Sequence, residues 1–336
     1  MAVLSRLLAL PVLASLPIAA RCLSTASTPA SSRPPISGAY DELKGLLRQV
    51  NALAEVEGVL SYDEQCFMPP GAAPARATQK ATLAKIRHTL ATGDAMRTAV
   101  NGVRGRMDEL PEDERLRANV RDAIDAFDKE ARKSPELAEA EARLESEAFG
   151  AWQAARAKSD FSLFAPKLKE MFELKKEVAT VTRPGVAEAY DGALDAFERG
   201  MTAARLDELF SELREGLVPL LNAIMAKRKS CPGFDAPHPS LVPGEVWLVE
   251  EQAALAREVA AELGYAFDNG RLDVSTHPFT GGAGPTDVRI TTRFSENWIE
   301  GFGATVHECG HALYEQVRET EYMAREADAC IRPRAK

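Results

Sequence analysis

From Tyr40 onward the apolar residues recur at intervals of three and four, the spacing that lines one face of a helix. Leu43, Leu46, Leu47, Val50 and Leu53 form the first such stripe. Met68-Pro69-Pro70-Gly71 then breaks the chain, because proline and glycine end helices. The helical spacing resumes over 72–90, and 107–156 reads as long, charge-rich antiparallel helices. Residues 161–181 continue in the same way. Over 207–229, Leu209, Leu213, Leu217, Leu220 and Ile224 make one more stripe.

Alternation of period two, the mark of a strand, occurs at one place, Asp287-Val288-Arg289-Ile290-Thr291-Thr292-Arg293, behind the turn-forming Gly281-Gly282-Ala283-Gly284-Pro285. The pattern predicts a mainly α protein with one small β-sheet, and no internal repeat is visible.

Composition narrows the function. Hydrophobic residues are 45% and charged residues 27% of the 336, as in ordinary globular proteins. A formal net charge of −9 argues against nucleic acid as a partner, since binding phosphates needs a basic face. The five cysteines, Cys22, Cys66, Cys231, Cys309 and Cys330, contain no Cys-x-x-Cys pair. They suggest reduced thiols rather than a disulfide framework or a cysteine metal site.

The first 38 residues read as a targeting segment. They carry Arg6, Arg21 and Arg33, no acidic residue, and much Ser, Ala and Pro. This is the composition of an organelle transit peptide. Arg21-Cys22-Leu23-Ser24 resembles an arginine-guided mitochondrial cleavage site, which makes mitochondrial import the first expectation and a secretory or plastid address the alternative. The apolar run over 7–20 is too short to span a bilayer, and no membrane partner is expected.

His307-Glu308-Cys309-Gly310-His311 carries the chemistry. Histidines at i and i+4 leave one face of a helix, so their nitrogens can converge on one metal ion, zinc in the first place. Glu308, beside them, is placed to act as general base toward a metal-activated water. Trp298, Phe302, Val306 and Leu313 would supply the apolar face of that helix. Cys309 reads as a packing residue and Tyr314 as a core-facing tyrosine, with oxyanion polarisation as its alternative. His277 is a candidate for the substrate side. Arg289 and Arg293 could hold a substrate carboxylate bidentately. They could equally pair with Asp287, Glu296 or Glu300 to hold the strand, which is the reading we favour. His88 and His238 have no evident partner in the sequence.

The order His277-Pro278-Phe279, Asp287-x-Arg289-x-Thr291 and His307-Glu308-x-x-His311 resembles the carboxypeptidase Taq family. Tyr62-Asp63 followed by Met68-Pro69-Pro70, Tyr190-Asp191-Gly192 and Gly200-Met201-Thr202 also resemble its members, with Tyr62 where Trp is usual. The resemblance implies a mainly helical, zincin-like fold with a long substrate groove, a small sheet near the metal, and often a homodimer. It implies a zinc-type metallocarboxypeptidase that releases single residues from peptide C-termini, with His307 and His311 as ligands and Glu308 as base. An aminopeptidase or oligopeptidase of the HExxH type is the alternative enzyme.

The same resemblance implies a third ligand, a Glu in a His-Glu-Ser motif, and the stretch 317–336 contains none. We therefore expect 39–316 to be an incomplete catalytic domain and 317–336 an atypical tail. A metzincin-type third histidine is excluded because that position is Val317. The carboxylates Glu319, Glu321, Glu326 and Asp328 read as a solvated surface. A remnant that binds metal weakly and turns nothing over is the alternative from outside the enzymes.

Overall fold

A computed structural model describes residues 36–231, 233, 247–295 and 298–323, with side chains as far as 317. The amino-terminal segment up to 35, His238, Glu296, Glu326 and Asp328 lie outside the described residues, as do the side chains of Glu319 and Glu321. The chain is helical as its periodicity predicts. In order come α1 (Ile36–Cys66), α2 (Ala73–Thr92), α3 (Asp94–Val103), α4 (Glu114–Glu130), α5 (Pro135–Lys158), α6 (Ala165–Thr182), α7 (Ala189–Leu194) and α8 (Ala203–Ser230). After α9 (Val249–Glu262) follow β1 (Gly270–Val274), β2 (Thr280–Gly282), β3 (Val288–Thr292) and α10 (Trp298–Met323).

Local chemistry sets several boundaries. The Asp113 carboxylate accepts from the backbone N–H groups of Arg115 and Leu116 and so starts α4. Ser134 caps α5, whose first residue is Pro135, where a missing N–H costs nothing. Ser159 ends α5 in the left-handed conformation, φ 52°.

The larger core lies between α1, α3 and α4. Leu43, Val100, Val103 and Val120 are fully enclosed there, with Met96, Leu116 and Phe127 around them. His88, unpartnered in the sequence, is buried on α2 with its Nδ1 3.4 Å from Glu130 Oε2 of α4.

The sheet has the order β1-β3-β2. β1 runs parallel to β3, pairing Gly270 with Val288, and β2 runs antiparallel to it, pairing Thr280 with Ile290. β3 is the strand that alternation predicts; β1 and β2 are additional. The β2–β3 turn requires glycine at 282: φ is +117°, and a Cβ would lie 1.9 Å from the Asp287 carbonyl oxygen.

Candidate metal centre

α10 lies across the sheet on a seat of small residues. Gly301, Thr305, Glu308, Cys309, Ala312 and Gln316 recur at helical spacing and are the buried positions among the helix's described side chains. Cys309 and Ala312 pack on Val288, Ile290 and Tyr265. At Gly301 a Cβ would meet Phe294 at 3.0 Å and the Arg293 carbonyl at 3.1 Å, so the helix approaches the end of β3 closely enough that a larger residue would make its neighbours give way. Thr292 and Thr305 both donate to the Gly301 carbonyl, at 2.9 and 2.8 Å.

This seat corrects the apolar face expected at 298, 302, 306 and 313. Val306 is 37% exposed, while Trp298 stacks on Trp247 at 5.1 Å and Phe302 packs against Trp298. Close approach of a helix to a sheet favours small side chains over large ones.

Rotating α10 by its own periodicity puts His307, His311 and Tyr314 on the opposite, solvent-facing side. Tyr314, expected in the core, is 56% exposed because it follows His307 by seven residues and shares its face. The two imidazole Nε2 atoms are 3.3 Å apart. Two tetrahedral ligands at a zinc–nitrogen distance of about 2.0–2.1 Å stand about 3.3–3.4 Å apart, so the pair fits adjacent corners of one coordination sphere. Among the described residues no third His, Cys, Asp or Glu joins them in a ligand cluster.

Glu308 turns the other way. It is 7% exposed, and its Oε2 accepts a 2.6 Å hydrogen bond from the Thr280 hydroxyl on β2. Thr280 also reaches the Glu308 carbonyl oxygen at 3.1 Å. Thr280 is a site residue that motif reading passes over, although it directly follows His277-Pro278-Phe279.

The separate motifs meet in a relay behind Thr280. The Thr291 hydroxyl, fully buried, accepts from the Phe279 N–H at 2.8 Å and from Ser275 Oγ at 2.7 Å. Ser275 is also 2.7 Å from the His277 carbonyl oxygen. Thr291 of the DxRxT stretch therefore locks the His277-Pro278-Phe279 loop, which delivers Thr280 to Glu308. Tyr62 closes the far side with no exposed surface. Its hydroxyl donates to Asp273 at 2.6 Å, and its ring meets Phe279 edge-on at 5.6 Å. Burial, with Asp273 beside it, drives the Tyr62 hydroxyl far above the ordinary tyrosine range.

Arg289 grips Asp287 through two hydrogen bonds of 2.6 and 2.7 Å and lies 5.2 Å over the Tyr62 ring. Its observed partners are thus those of the strand-holding alternative. Arg293 reaches Glu300 at 3.9 Å. His277 is exposed, held by its main chain rather than its ring. Burial and then the Glu308 charge push the Cys309 thiol up to about 11, in keeping with a packing role. No helix of the described residues is long and apolar enough to cross a membrane.

The model of the carboxypeptidase Taq (M32) metallopeptidase family matches residues 42–332. The chain is 37% identical over 293 residues to thermostable carboxypeptidase 1 of Thermus thermophilus, covering 83% of this chain and 55% of that protein. It is 34% identical over 281 residues to carboxypeptidase 1 of Bacillus subtilis, covering 82% and 53%. Among solved structures, Trypanosoma cruzi metallocarboxypeptidase 1 superposes with a TM-score of 0.70 at 31% identity, over 83% of this chain and 55% of that one. The chain thus spans about half the length of the curated relatives it matches.

Proposed function

Since the chain belongs to the carboxypeptidase Taq (M32) metallopeptidase family, we propose that it supplies the metal-binding and general-base elements of a zinc carboxypeptidase that releases single residues from peptide C-termini. The observation that carries this reading is the 3.3 Å separation of the His307 and His311 nitrogens beside a buried Glu308.

His307 and His311 would hold the cation through Nε2. Zinc bound there supplies Lewis acidity to a water molecule and to the peptide carbonyl. Glu308 would serve as the proton acceptor for such a water. The Thr280 hydrogen bond holds one carboxylate oxygen on the sheet side. His277 and Arg289 are the substrate-side candidates; Arg289, which grips Asp287, would have to exchange that partner to hold a terminal carboxylate.

The test is metal content and hydrolysis of N-blocked dipeptides by the full chain, with and without a chelator. Stoichiometric zinc that survives dialysis, with chelator-sensitive release of the last residue, is the expected result. Chelator-insensitive or internal cleavage would overturn the carboxypeptidase reading. A chain that retains no metal and turns nothing over would establish the non-catalytic alternative. We also propose mitochondrial import on the composition of the first 38 residues, tested by the destination of a fluorescent fusion.

A further inference from the structure

Glu308 is held where its own helix would not keep it. Its neighbours His307 and His311 face solvent, yet Glu308 is 7% exposed. A carboxylate stays in so poorly solvated a place only when a donor meets it there. The donor is the Thr280 hydroxyl, 2.6 Å from Oε2, a separation typical of a charge-assisted bond. Thr280 in turn has little freedom. β2 is three residues long, and the residue before it, Phe279, is bonded to Thr291 through both of its polar main-chain groups. The Phe279 carbonyl accepts from the Thr291 N–H at 2.9 Å and from the Thr291 hydroxyl at 3.1 Å, and the Phe279 N–H donates to that hydroxyl at 2.8 Å. Thr291 itself stands apart from α10: it alternates with Ile290, which packs on Cys309 and Ala312. Two more ties come from elsewhere. Gln153 on α5 donates to the Thr276 hydroxyl at 3.3 Å, and Arg293 donates to the Thr276 carbonyl at 3.4 Å. Residues 275–279 are thus a braced arm with Thr280 at its end.

We propose that Thr280 is a positioning residue for Glu308, and that Thr291 acts on Glu308 at second hand by fixing the arm that carries Thr280. Valine at either position keeps the shape and strand preference of threonine but removes the hydroxyl. The carboxylate then loses its donor, or Thr280 loses its place, and Glu308 turns toward water. A displacement of about 1 Å at a reacting group can lower a rate about 100-fold. The inference rests on the reading of Glu308 as proton acceptor, since only then does its position govern a rate.

The experiment compares the full chain with Thr280→Val, Thr280→Ser, Thr291→Val and Thr291→Ser, each loaded with zinc, in the hydrolysis of an N-blocked dipeptide. Zinc content and a crystal structure of each variant are read beside the rate. The two Val variants should lower kcat about 10–100-fold, the range for outer partners of a site, with KM and zinc content within about twofold of the parent. The two Ser variants, which restore the hydroxyl, should recover most of the loss. The Glu308 carboxylate should leave its place on the sheet in both Val variants and keep it in both Ser variants. Should Thr291→Val not fold, Ser275→Ala removes a single bond from the same hydroxyl and should show the same split at smaller amplitude. Ser and Val variants that are equally slow, or a rise in KM that accounts for the whole loss, overturn the proposal. A Glu308 carboxylate unmoved in Thr280→Val overturns it too, whatever the rates. If the parent releases no residue, the functional proposal falls, and the crystal structures alone decide whether Thr280 and Thr291 hold Glu308.

Discussion

The Thr280 hydroxyl stands 2.6 Å from Oε2 of Glu308 and 3.1 Å from the main-chain oxygen of the same residue, tying the short strand β2 to the centre of α10. A buried carboxylate that loses such a donor is left short of one hydrogen bond in a poorly solvated place. Thr280→Val, which keeps the strand preference, should cost about 1.5–3 kcal/mol, the range for hydrogen bonds to charged groups. Thr280→Ser should cost much less. Thermal unfolding of the two variants against the parent checks this, and equal losses would show that the hydroxyl is not what matters.

His307 and His311 both lie on the exposed face of α10, so replacing either should separate metal affinity from stability. His311→Ala should weaken zinc binding at least 100-fold, since even outer partners of a ligand contribute about 10–100-fold. Without metal, its unfolding free energy should stay within about 0.5 kcal/mol of the parent, as for other surface changes. Competition with a chromophoric chelator and urea titration measure the two effects on the same sample.

Tyr62 is fully enclosed, with its hydroxyl on Asp273 and its ring on Phe279. Tyr62→Phe should keep the ring contacts and lose about 1–3 kcal/mol, because the Asp273 carboxylate gives up a donor. Tyr62→Ala adds a cavity and should lose about 3–5 kcal/mol, as for other large aromatic truncations. The readout is the urea midpoint at unchanged slope. A Phe variant as unstable as the Ala variant would place the energy in the hydroxyl rather than in the packing.

Acid should loosen the α2–α4 contact only as the pH falls well below the ordinary glutamate range. Burial alone would raise the Glu130 carboxyl, but the His88 hydrogen bond and Lys133 outweigh it and hold the group at about 2. An unfolded glutamate titrates near about 4.3. The folded pKa is the lower one, so the stabilisation is fully present above about 4.3 and disappears as the pH falls toward 2. Denaturant unfolding between pH 6 and 2 should show a steeper loss for the parent than for Glu130→Gln. Parallel curves would remove Glu130 from the account.

Most of the long helices and β3 were legible because their patterns are local, whereas α3, α7 and α9 were not singled out. β3 carries Val288, Ile290, Thr291 and Thr292, and α1, α2 and α4 to α6 repeat their apolar positions at helical spacing. β2 was not legible, since Thr280-Gly281-Gly282 has no strand preference and is held by pairing with β3 and by Thr280. The His307–Glu308–His311 site followed from spacing alone. The seat of α10 did not, because Gly301, Thr305, Cys309 and Ala312 contribute little to hydrophobic periodicity and matter through their smallness. Contacts across long separations, such as Tyr62 with Asp273 or His88 with Glu130, leave no trace in local pattern.

The two faces of α10 have a consequence for how such a protein can change over generations. The residues that seat the helix on the sheet and the imidazoles that face outward share no side chain, apart from Glu308, which belongs to both. Drift at 307 or 311 would erase the metal pair and leave no scar in the interior. Drift at 308 would disturb the Thr280 tie as well. The fold should therefore tolerate replacement at 307 or 311 far more readily than at 308, where the carboxylate is held by architecture whatever its chemistry.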